Sequence, residues 1–333
     1  MSESMPQFPP DTSQQTYLAV QAIVAGRLYL RDKRVFQDSI HLPDSSGFRA
    51  PDFCFLIAHP TKGRILFDLG IRKNGKGYPP AVEKLLGIFE LECEDDVADT
   101  LKKGGIDPTT INTIIYSHLH WDHVGDPTPF TNAQMIIGAD AQPLWLEAYP
   151  SNPNGRYQEL PADRPITYIS FDPYTSTHPI ISPIGTFEKA IDLFADRTLY
   201  LVSAPGHMPG HLAALVRVAP NSFIFLAGDT CHDRQCYDPG ERLISQENYM
   251  DLETARDTVT KLMRMNREMD EVIVVLAHEK ERDGTMPVFP EELGTWVVNE
   301  IRKRKASRSL PTIVSTASLI LTNYPLVFQE RYS

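Results

Sequence analysis

The sequence predicts an α/β fold of the αββα type, in which two mixed β-sheets pack face to face between helices. Short apolar runs rich in β-branched residues alternate along the chain with segments of helical periodicity. Several of these runs end directly on histidine or aspartate, the residue types that bind metal ions. A set of strands whose ends share one metal site indicates two sheets sandwiched between helices.

The first half of the chain carries strand patterns before a dense histidine cluster. Helical spacing over 81–89 and 95–103 separates two groups of strands, and the second helix ends at a Gly-Gly pair. The predicted strands cover residues 17–29, 53–59, 64–70, 111–116 and 133–137.

The second half continues the alternation after an irregular stretch. Residues 150–183 are rich in Pro, Tyr, Ser and Asn, and we interpret them as an insertion or lid loop because strands resume on both sides. Its Tyr157, Tyr168, Tyr174 and His178 would roof an aromatic-lined pocket, or the stretch is a solvated surface loop. The predicted strands are 193–202, 212–218, 223–226 and 272–276, and the predicted helices are 252–269 and 290–305.

The bulk composition bounds the class of protein. The 333 residues include 42% hydrophobic residues, and the net charge of −11 opposes a nucleic acid as main partner because phosphate contacts need a positive surface. The four cysteines form no C-x-x-C pair, so a thiolate zinc site is not expected. With no signal-peptide pattern and no apolar run long enough to cross a bilayer, we expect a cytoplasmic protein without a membrane partner.

The chain divides into one large domain with short flanks. Residues 1–15 are polar and Pro-rich and are predicted to be flexible, residues 16–305 form a single domain, and residues 306–333 form a C-terminal tail. Nothing in the sequence indicates an oligomeric state.

The segment 117–123, Ser-His-Leu-His-Trp-Asp-His, places three imidazoles and a carboxylate beyond the strand 111–116. In an extended chain His118 and His120 point to the same side, and Asp122 and His123 lie in the turn beyond. A histidine-rich surface turn is the plain alternative, but the chain has only ten histidines. Imidazole and carboxylate together suit zinc and similar divalent ions, so the segment predicts a metal site.

Three more strand-end residues extend this set. His207, Asp229 and His278 each follow closely on an apolar run, where a rigid edge would direct them to the same rim. A single strand-end Asp or His is more often a cap or turn residue. Together with the cluster at 118–123 they make seven ligands, enough for two adjacent ions if one carboxylate bridges them.

This pattern resembles the metallo-β-lactamase superfamily, whose signature is His-x-His-x-Asp-His followed by distant His, Asp and His. All seven positions are matched here. The resemblance implies two divalent ions, with zinc the expected metal, and a shared hydroxide that attacks a substrate carbonyl. It assigns His118, His120 and His207 to the first ion, Asp122, His123 and His278 to the second, and Asp229 to the bridge.

Asp122 and Asp68 have additional roles in a site of this kind. Asp122 would also act catalytically by relaying a proton as the intermediate collapses. Asp68, at the end of the predicted strand 64–70, would accept a hydrogen bond that orients a metal histidine.

Within the superfamily, the motifs are most similar to the N-acyl homoserine lactonases. The stretch Pro-Gly-His-x-Pro-Gly-His at 205–211 supports this, and in it His211 is expected to be a structural hydrogen bonder rather than a ligand. The resemblance implies a small-molecule substrate with a cyclic ester or amide, a lactone or lactam.

One departure from the lactonases concerns the residue three positions after the bridging aspartate. The lactonases carry a tyrosine there that helps polarise the substrate carbonyl, and this chain has His232. An imidazole could donate the same hydrogen bond as a catalytic group, Tyr237 could replace it, or the substrate differs and needs neither.

Other chemistries of the superfamily stay open to different degrees. A glyoxalase II-like thioesterase would use the same ligands, and a sulfur dioxygenase would use a single iron on a subset of them. An RNase Z-like phosphodiesterase is opposed by the net charge of −11. A flavodiiron oxidoreductase is disfavoured because it has Glu at the position of His120, and a non-catalytic binding module is the least favoured reading.

Overall fold

The structure is a computed structural model that describes residues 7–178 and 180–309. Within this range the strands are β1 (Ala19–Arg31), β2 (Gly47–His59), β3 (Gly63–Phe67), β4 (Ile111–Ile115), β5 (Gln134–Gly138), β6 (Ile166–Ile169), β7 (Ser182–Ile184), β8 (Phe187–Asp192), β9 (Leu199–Ser203), β10 (Leu212–Ala219), β11 (Ser222–Leu226) and β12 (Val272–Val275). The helices are α1 (Asp32–Val35), α2 (Pro80–Leu86), α3 (Val97–Lys103), α4 (Trp121–Val124), α5 (Gln142–Trp145), α6 (Leu252–Glu268) and α7 (Gly294–Ser309).

The strands form two six-stranded mixed sheets. The first has the order β1-β2-β3-β4-β5-β6 and the second the order β12-β11-β10-β9-β8-β7. In the first sheet β1, β2 and β3 pair antiparallel, and β3 to β6 pair parallel. In the second sheet β11 and β12 pair parallel, while the other neighbours are antiparallel.

The two sheets pack on each other and each is covered by helices on its outer face. Inward residues of both sheets, such as Phe55 of β2 and Leu226 of β11, share one buried cluster. Helix α6 has buried residues at helical spacing, including Val259 and Leu262, which pack on the outer face of the second sheet. Leu101 of helix α3 packs on the outer face of the first sheet. The predicted αββα sandwich is therefore confirmed.

The two sheets are joined by backbone hydrogen bonds at one rim. The amide of Leu212 in the second sheet donates to the carbonyl of Ser117, at 2.8 Å, just beyond β4. The amide of Phe53 in β2 donates to the carbonyl of Ala277, at 2.9 Å, just beyond β12. These bonds hold the strand ends that carry the histidines and aspartates at fixed spacing.

Three of the predicted elements need correction, and the first two lie between β5 and β9. The stretch 150–183 is not simply an insertion, because it contains β6, which adds to the first sheet parallel to β5. The predicted strand 193–202 is a hairpin turn followed by β9. Its apolar Phe194 conceals the turn in the sequence, yet Ala195 and Arg197 have left-handed backbones with φ of 57° and 66°.

The last helix also differs from its predicted start at Pro290. The amides of Phe289 and Leu293 donate to carbonyls of β1, so this part of the chain is held as an edge segment, and α7 begins only at Gly294. It continues to Ser309, beyond the predicted domain end at 305. None of the described helices is long and apolar enough to cross a membrane.

The predicted flexible N-terminus 1–15 is anchored where the structure describes it. The guanidinium of Arg217 binds Asp11 and the Pro9 carbonyl, and the ring of Phe8 packs on Phe223 at 4.6 Å. A buried arginine needs such partners, which explains why this segment is held. Residues 1–6, and residues 310–333 of the predicted tail, lie outside the described residues.

Candidate metal centre

Three imidazole nitrogens converge at the rim between the sheets. His118 Nε2 lies 2.9 Å from His120 Nδ1 and 3.1 Å from His207 Nε2, and the last two atoms are 2.9 Å apart. Asp229 Oδ2 lies 3.7 Å from His118 Nε2 and 3.4 Å from His207 Nε2. We call His118, His120, His207 and Asp229 the first cluster.

The first cluster has the spacing and protonation of a metal site. Ligands about 2.0–2.1 Å from a tetrahedral zinc ion are about 3.3 Å from one another, close to the separations here. Burial and the neighbouring imidazoles hold the pKa of His118 and His207 well below the ordinary value. Burial lowers the pKa of His120 to about 4. These imidazoles are therefore neutral at pH 7, the form that binds metal.

A second group of ligand atoms lies beside the first. Asp52, His123 and His278 each offer an atom within 4.8 Å of the others, and all three side chains are buried. We call these residues the second cluster. Asp122, which the sequence assigned to this ion, faces the same place, with Oδ2 3.8 Å from His278 Nε2.

Asp229 lies between the two clusters. Its Oδ2 faces the first cluster, while its Oδ1 lies 3.3 Å from His123 Nε2 and 3.3 Å from His278 Nε2. Burial by itself would raise the pKa of Asp229, but the surrounding imidazoles lower this pKa well below its usual range. Burial likewise opposes protonation of His278, but Asp229 raises its pKa to about 9. The carboxylate is therefore ionised, and its two oxygens face the two clusters.

Hydrogen bonds behind the clusters orient the imidazoles. Asp68 Oδ2 accepts from His123 Nδ1 at 2.9 Å, which confirms the hydrogen bond predicted for Asp68. Ser117 Oγ donates to the same carboxylate at 2.6 Å and lies 3.0 Å from His118 Nδ1. His278 Nδ1 lies 3.0 Å from the Pro51 carbonyl. With the Nδ1 atoms engaged in this way, the Nε2 atoms face the centre.

Two loop features explain how the ligands reach this rim. Gly206 has φ of 122°, and a Cβ there would lie 2.3 Å from the backbone of Ala255, so only glycine lets the His207 loop approach α6 this closely. His211 Nε2 accepts from the amide of Asp229 at 3.1 Å, as expected for a structural hydrogen bonder. Burial lowers the pKa of His211 to about 3, which keeps this acceptor neutral.

A cavity of about 300 Å³ opens onto both clusters. Asp122, His207, Asp229 and His278 line it, and Arg156 and Tyr157 reach it from the irregular stretch. One wall is apolar and consists of Leu28, Leu30, Val82, Leu85, Ile88 and Phe89.

The irregular stretch contributes less to this cavity than the aromatic roof predicted for it. Of the four predicted side chains only Tyr157 lines the cavity. Tyr168 packs on the outer core of the first sheet, and Tyr174 is 94% exposed. His178 is half-buried and is not among the lining residues.

His232 is buried beside the bridge. Its Nε2 lies 3.2 Å from Asp229 Oδ2, its Nδ1 lies 3.2 Å from the hydroxyl of Tyr249, and both residues line the cavity. Tyr237 cannot take the same role in this arrangement, because its hydroxyl donates to Glu279 at 3.2 Å and it does not line the cavity.

The structure brings together all seven residues predicted from the sequence and adds two. Asp52 was missed because it lies within β2, just before an apolar run, without any histidine nearby in sequence. Tyr249 was missed because it lies in a loop before α6 with no motif. A charged residue directly before the apolar run 53–58 is the sequence signal that could have drawn attention to Asp52.

Comparison with known proteins gives the family. The model of the metallo-β-lactamase superfamily matches residues 49–278. The cytochrome P450 monooxygenase mpaDE of Penicillium roqueforti (strain FM164) is 31% identical over 288 residues, 76% of this chain. The chain spans only 33% of that relative's length.

Relatives closer in length carry hydrolase names. The γ-lactamase FDB1 of Fusarium pseudograminearum (strain CS3096) is 28% identical over 77% of this chain and 73% of its own length. The N-acyl homoserine lactonase AttM of Rhizobium radiobacter is 24% identical over 80% of this chain and 97% of its own.

Solved structures share the fold. A quorum-quenching N-acyl homoserine lactone lactonase superposes with a TM-score of 0.63 and 22% identity, covering 84% of this chain and 100% of that one. Since the family model matches well over half of the sequence, the chain belongs to the metallo-β-lactamase superfamily.

Proposed function

We propose that this chain is a metal-dependent hydrolase that uses two divalent ions, zinc in the simplest case, to open a lactone or lactam ring. The observation that carries the proposal is the position of Asp229, whose two oxygens face two separate clusters of buried imidazoles. Two ions held there would supply hydroxide at neutral pH and polarise the substrate carbonyl.

The ligand assignment follows the facing atoms. Asp229 would be shared, and the first ion would lie among three neutral imidazoles. We assign His118, His120 and His207 to the first ion, and Asp122, His123 and His278 to the second. Asp122 lines the cavity, so its carboxylate is also placed to accept a proton and return it to the leaving group.

The carbonyl oxygen of the substrate would meet His232. This imidazole lines the cavity next to the bridge, and the Tyr249 hydroxyl at 3.2 Å from its Nδ1 holds the ring in place. Its Nε2 lies 3.2 Å from Asp229 Oδ2, and once that carboxylate binds metal ions Nε2 would donate instead to the carbonyl oxygen and stabilise the charge on it.

The substrate class follows from the cavity and the relatives. The apolar wall formed by residues of β1, α2 and the segment just beyond α2 suits an apolar or aromatic body attached to the reacting ring, and the exposed side chain of Arg156 adds a cation to the cavity lining. The named γ-lactamase and lactonase relatives support a cyclic amide or ester as the scissile group. We further propose that residues 16–305 act as one domain, with the stretch 150–183 contributing to the cavity.

The test is a substrate panel on metal-replete protein. It compares γ-lactones and γ-lactams that carry apolar substituents with linear esters and thioesters, in the presence and absence of oxygen. We expect cyclic substrates to be opened, turnover to persist without oxygen, and metal analysis to find about two ions per chain. Turnover of thioesters alone would favour the thioesterase reading, and one iron with oxygen consumption would contradict the hydrolase.

A further inference from the structure

Asp52 is a buried carboxylate that the seven-residue ligand set does not use. The side chain is fully excluded from solvent, and neither of its oxygens has a hydrogen-bond partner among the described residues. An ionised carboxylate without a partner in the protein interior is strongly unfavourable, so a group of this kind needs an explanation.

The backbone around Asp52 is fixed against the second cluster. The carbonyl of Pro51 lies 3.0 Å from His278 Nδ1, and the amide of Phe53 donates to Ala277 at 2.9 Å. Asp52 lies between these two contacts. An oxygen of Asp52 and nitrogens of His123 and His278 lie within 4.8 Å of one another.

The charged groups that face Asp52 do not satisfy it. They are His123 and His278, which attract it, and Asp122 and Asp229, which repel it. Both imidazoles already pair with Asp229, and His123 also pairs with Asp68. A divalent cation among these groups would give the Asp52 oxygen a partner and would offset the repulsion among the three carboxylates.

We propose that Asp52 is a further ligand of the second metal ion, in addition to the residues of the seven-position signature. The second ion would then be held by two imidazoles and by carboxylates on two sides, Asp122 from the cavity and Asp52 from the interior. Oxygen-rich sites suit harder ions and higher coordination numbers, so the two sites would differ in metal preference. This inference rests on the two-ion centre of the proposed function and not on the identity of the substrate.

Metal affinity tests the role of Asp52 without any substrate. Asp52→Asn and wild type are equilibrated with graded chelator, and bound metal is counted at each step. We expect the variant to keep its tighter ion and to bind the second about 10- to 100-fold more weakly, or worse, the loss typical of disturbing a ligand shell. The matched control is Asp192→Asn, a partly buried aspartate that has one oxygen without a hydrogen-bond partner among the described residues and belongs to neither cluster, and it should keep both affinities.

A structure of the metal-loaded wild-type protein keeps the inference testable if Asp52→Asn fails to fold. An Asp52 oxygen about 2.0–2.2 Å from the second ion supports the proposal. The proposal is overturned if Asp52→Asn binds both ions as tightly as wild type. It is also overturned if the Asp52 oxygens lie more than 3 Å from the second ion and form hydrogen bonds to another group instead. If two ions bind, with Asp52 as a ligand, but no cyclic substrate is turned over, the role of Asp52 stands and only the proposed function is rejected.

Discussion

The two clusters of the candidate metal centre share a rim but differ in the charge of their side chains. In the first cluster three neutral imidazoles face one another at about the spacing of ligands around one ion, with pKa values lowered by burial. In the second cluster the imidazoles stand among carboxylates, and Asp229 raises the pKa of His278 to about 9. The imidazoles of the first cluster are neutral and form no ion pairs with Asp229, whereas the imidazoles of the second are held by ion pairs with Asp68 and Asp229.

This difference arises from which elements supply the ligands. The first cluster takes His118 and His120 from the chain leaving β4 and His207 from a glycine-dependent loop. The second takes His278 from the end of β12, where the Pro51 carbonyl of β2 binds it. We therefore expect the first cluster to depend on the metal for its order and the second to retain its arrangement.

Removal of the bridge should have the largest effect, because Asp229 is the one residue that belongs to both sides. In Asp229→Asn the two cations lose the shared negative charge, so we expect kcat/KM to fall at least about 10⁴-fold, which is more than about 5 kcal/mol of transition-state stabilisation. Activity and metal content are measured on the same samples.

The matched control for that variant is Asp233→Asn, because Asp233 is a buried aspartate of the same loop that pairs with Lys280 away from the cavity. We expect Asp233→Asn to lower the stability of the protein and to leave its metal content unchanged. Two tightly bound ions and near-normal turnover in Asp229→Asn would show that the clusters work separately.

Metal removal should lower the stability of the protein and loosen the segments that carry the two clusters to different extents. A ligand present at about 1,000 times its Kd stabilises the folded state by about 4 kcal/mol, so chelation should lower Tm by about 10 °C. Hydrogen exchange should rise most in the 204–211 loop, because His207 Nδ1 has no hydrogen-bond partner among the described residues. Exchange at 276–279 should change less, since His278 keeps Pro51 and Asp229. Equal increases in both segments would contradict the comparison.

The first cluster was the more predictable of the two from the sequence. The alternation of a strand places His118 and His120 on one side, and the Pro-Gly-His motif marks His207, so local patterns suffice to predict three side chains of this cluster. The fold was predictable for the same reason, since buried strands and the α6 helix have clear periodicity. The predicted elements were wrong where an apolar residue occupies a turn, as Phe194 does. They were also wrong where pairing with a sheet overrides helical spacing, as before α7.

The second cluster could not be predicted completely because it depends on contacts between distant strands. Asp52 precedes an apolar run and has no partner within its own segment. Only the packing of β2 against the end of β12 brings it to His278. Tyr249 is similar, because its contact with His232 arises from the loop before α6 lying across the cavity.

Replacement of His232 should affect turnover and not metal binding. Loss of one hydrogen-bond donor to a carbonyl oxygen typically costs about 10²-fold in kcat, so His232→Phe should lose about 3 kcal/mol of transition-state stabilisation with little change in KM. Tyr249→Phe, which removes only the hydroxyl 3.2 Å from Nδ1, should cost a few-fold at most. An unchanged kcat in His232→Phe would remove this residue from the mechanism, and loss of a metal ion would make it a positioning residue of Asp229.

Ser117 gives the smallest and most selective test of the difference between the clusters. Its hydroxyl lies 3.0 Å from His118 Nδ1 in the first cluster, while His123 of the second is held by Asp68 itself at 2.9 Å. In Ser117→Ala we therefore expect the first ion to bind about 10-fold more weakly, about 1.4 kcal/mol, and the second to change less. Ser222→Ala removes a buried hydroxyl that donates to Pro220 away from the centre, and it should leave both affinities unaltered. An equal loss of affinity for both ions in Ser117→Ala would show that the hydrogen-bond network behind the centre couples the two clusters. The clusters would then not be independent, in spite of their different charges.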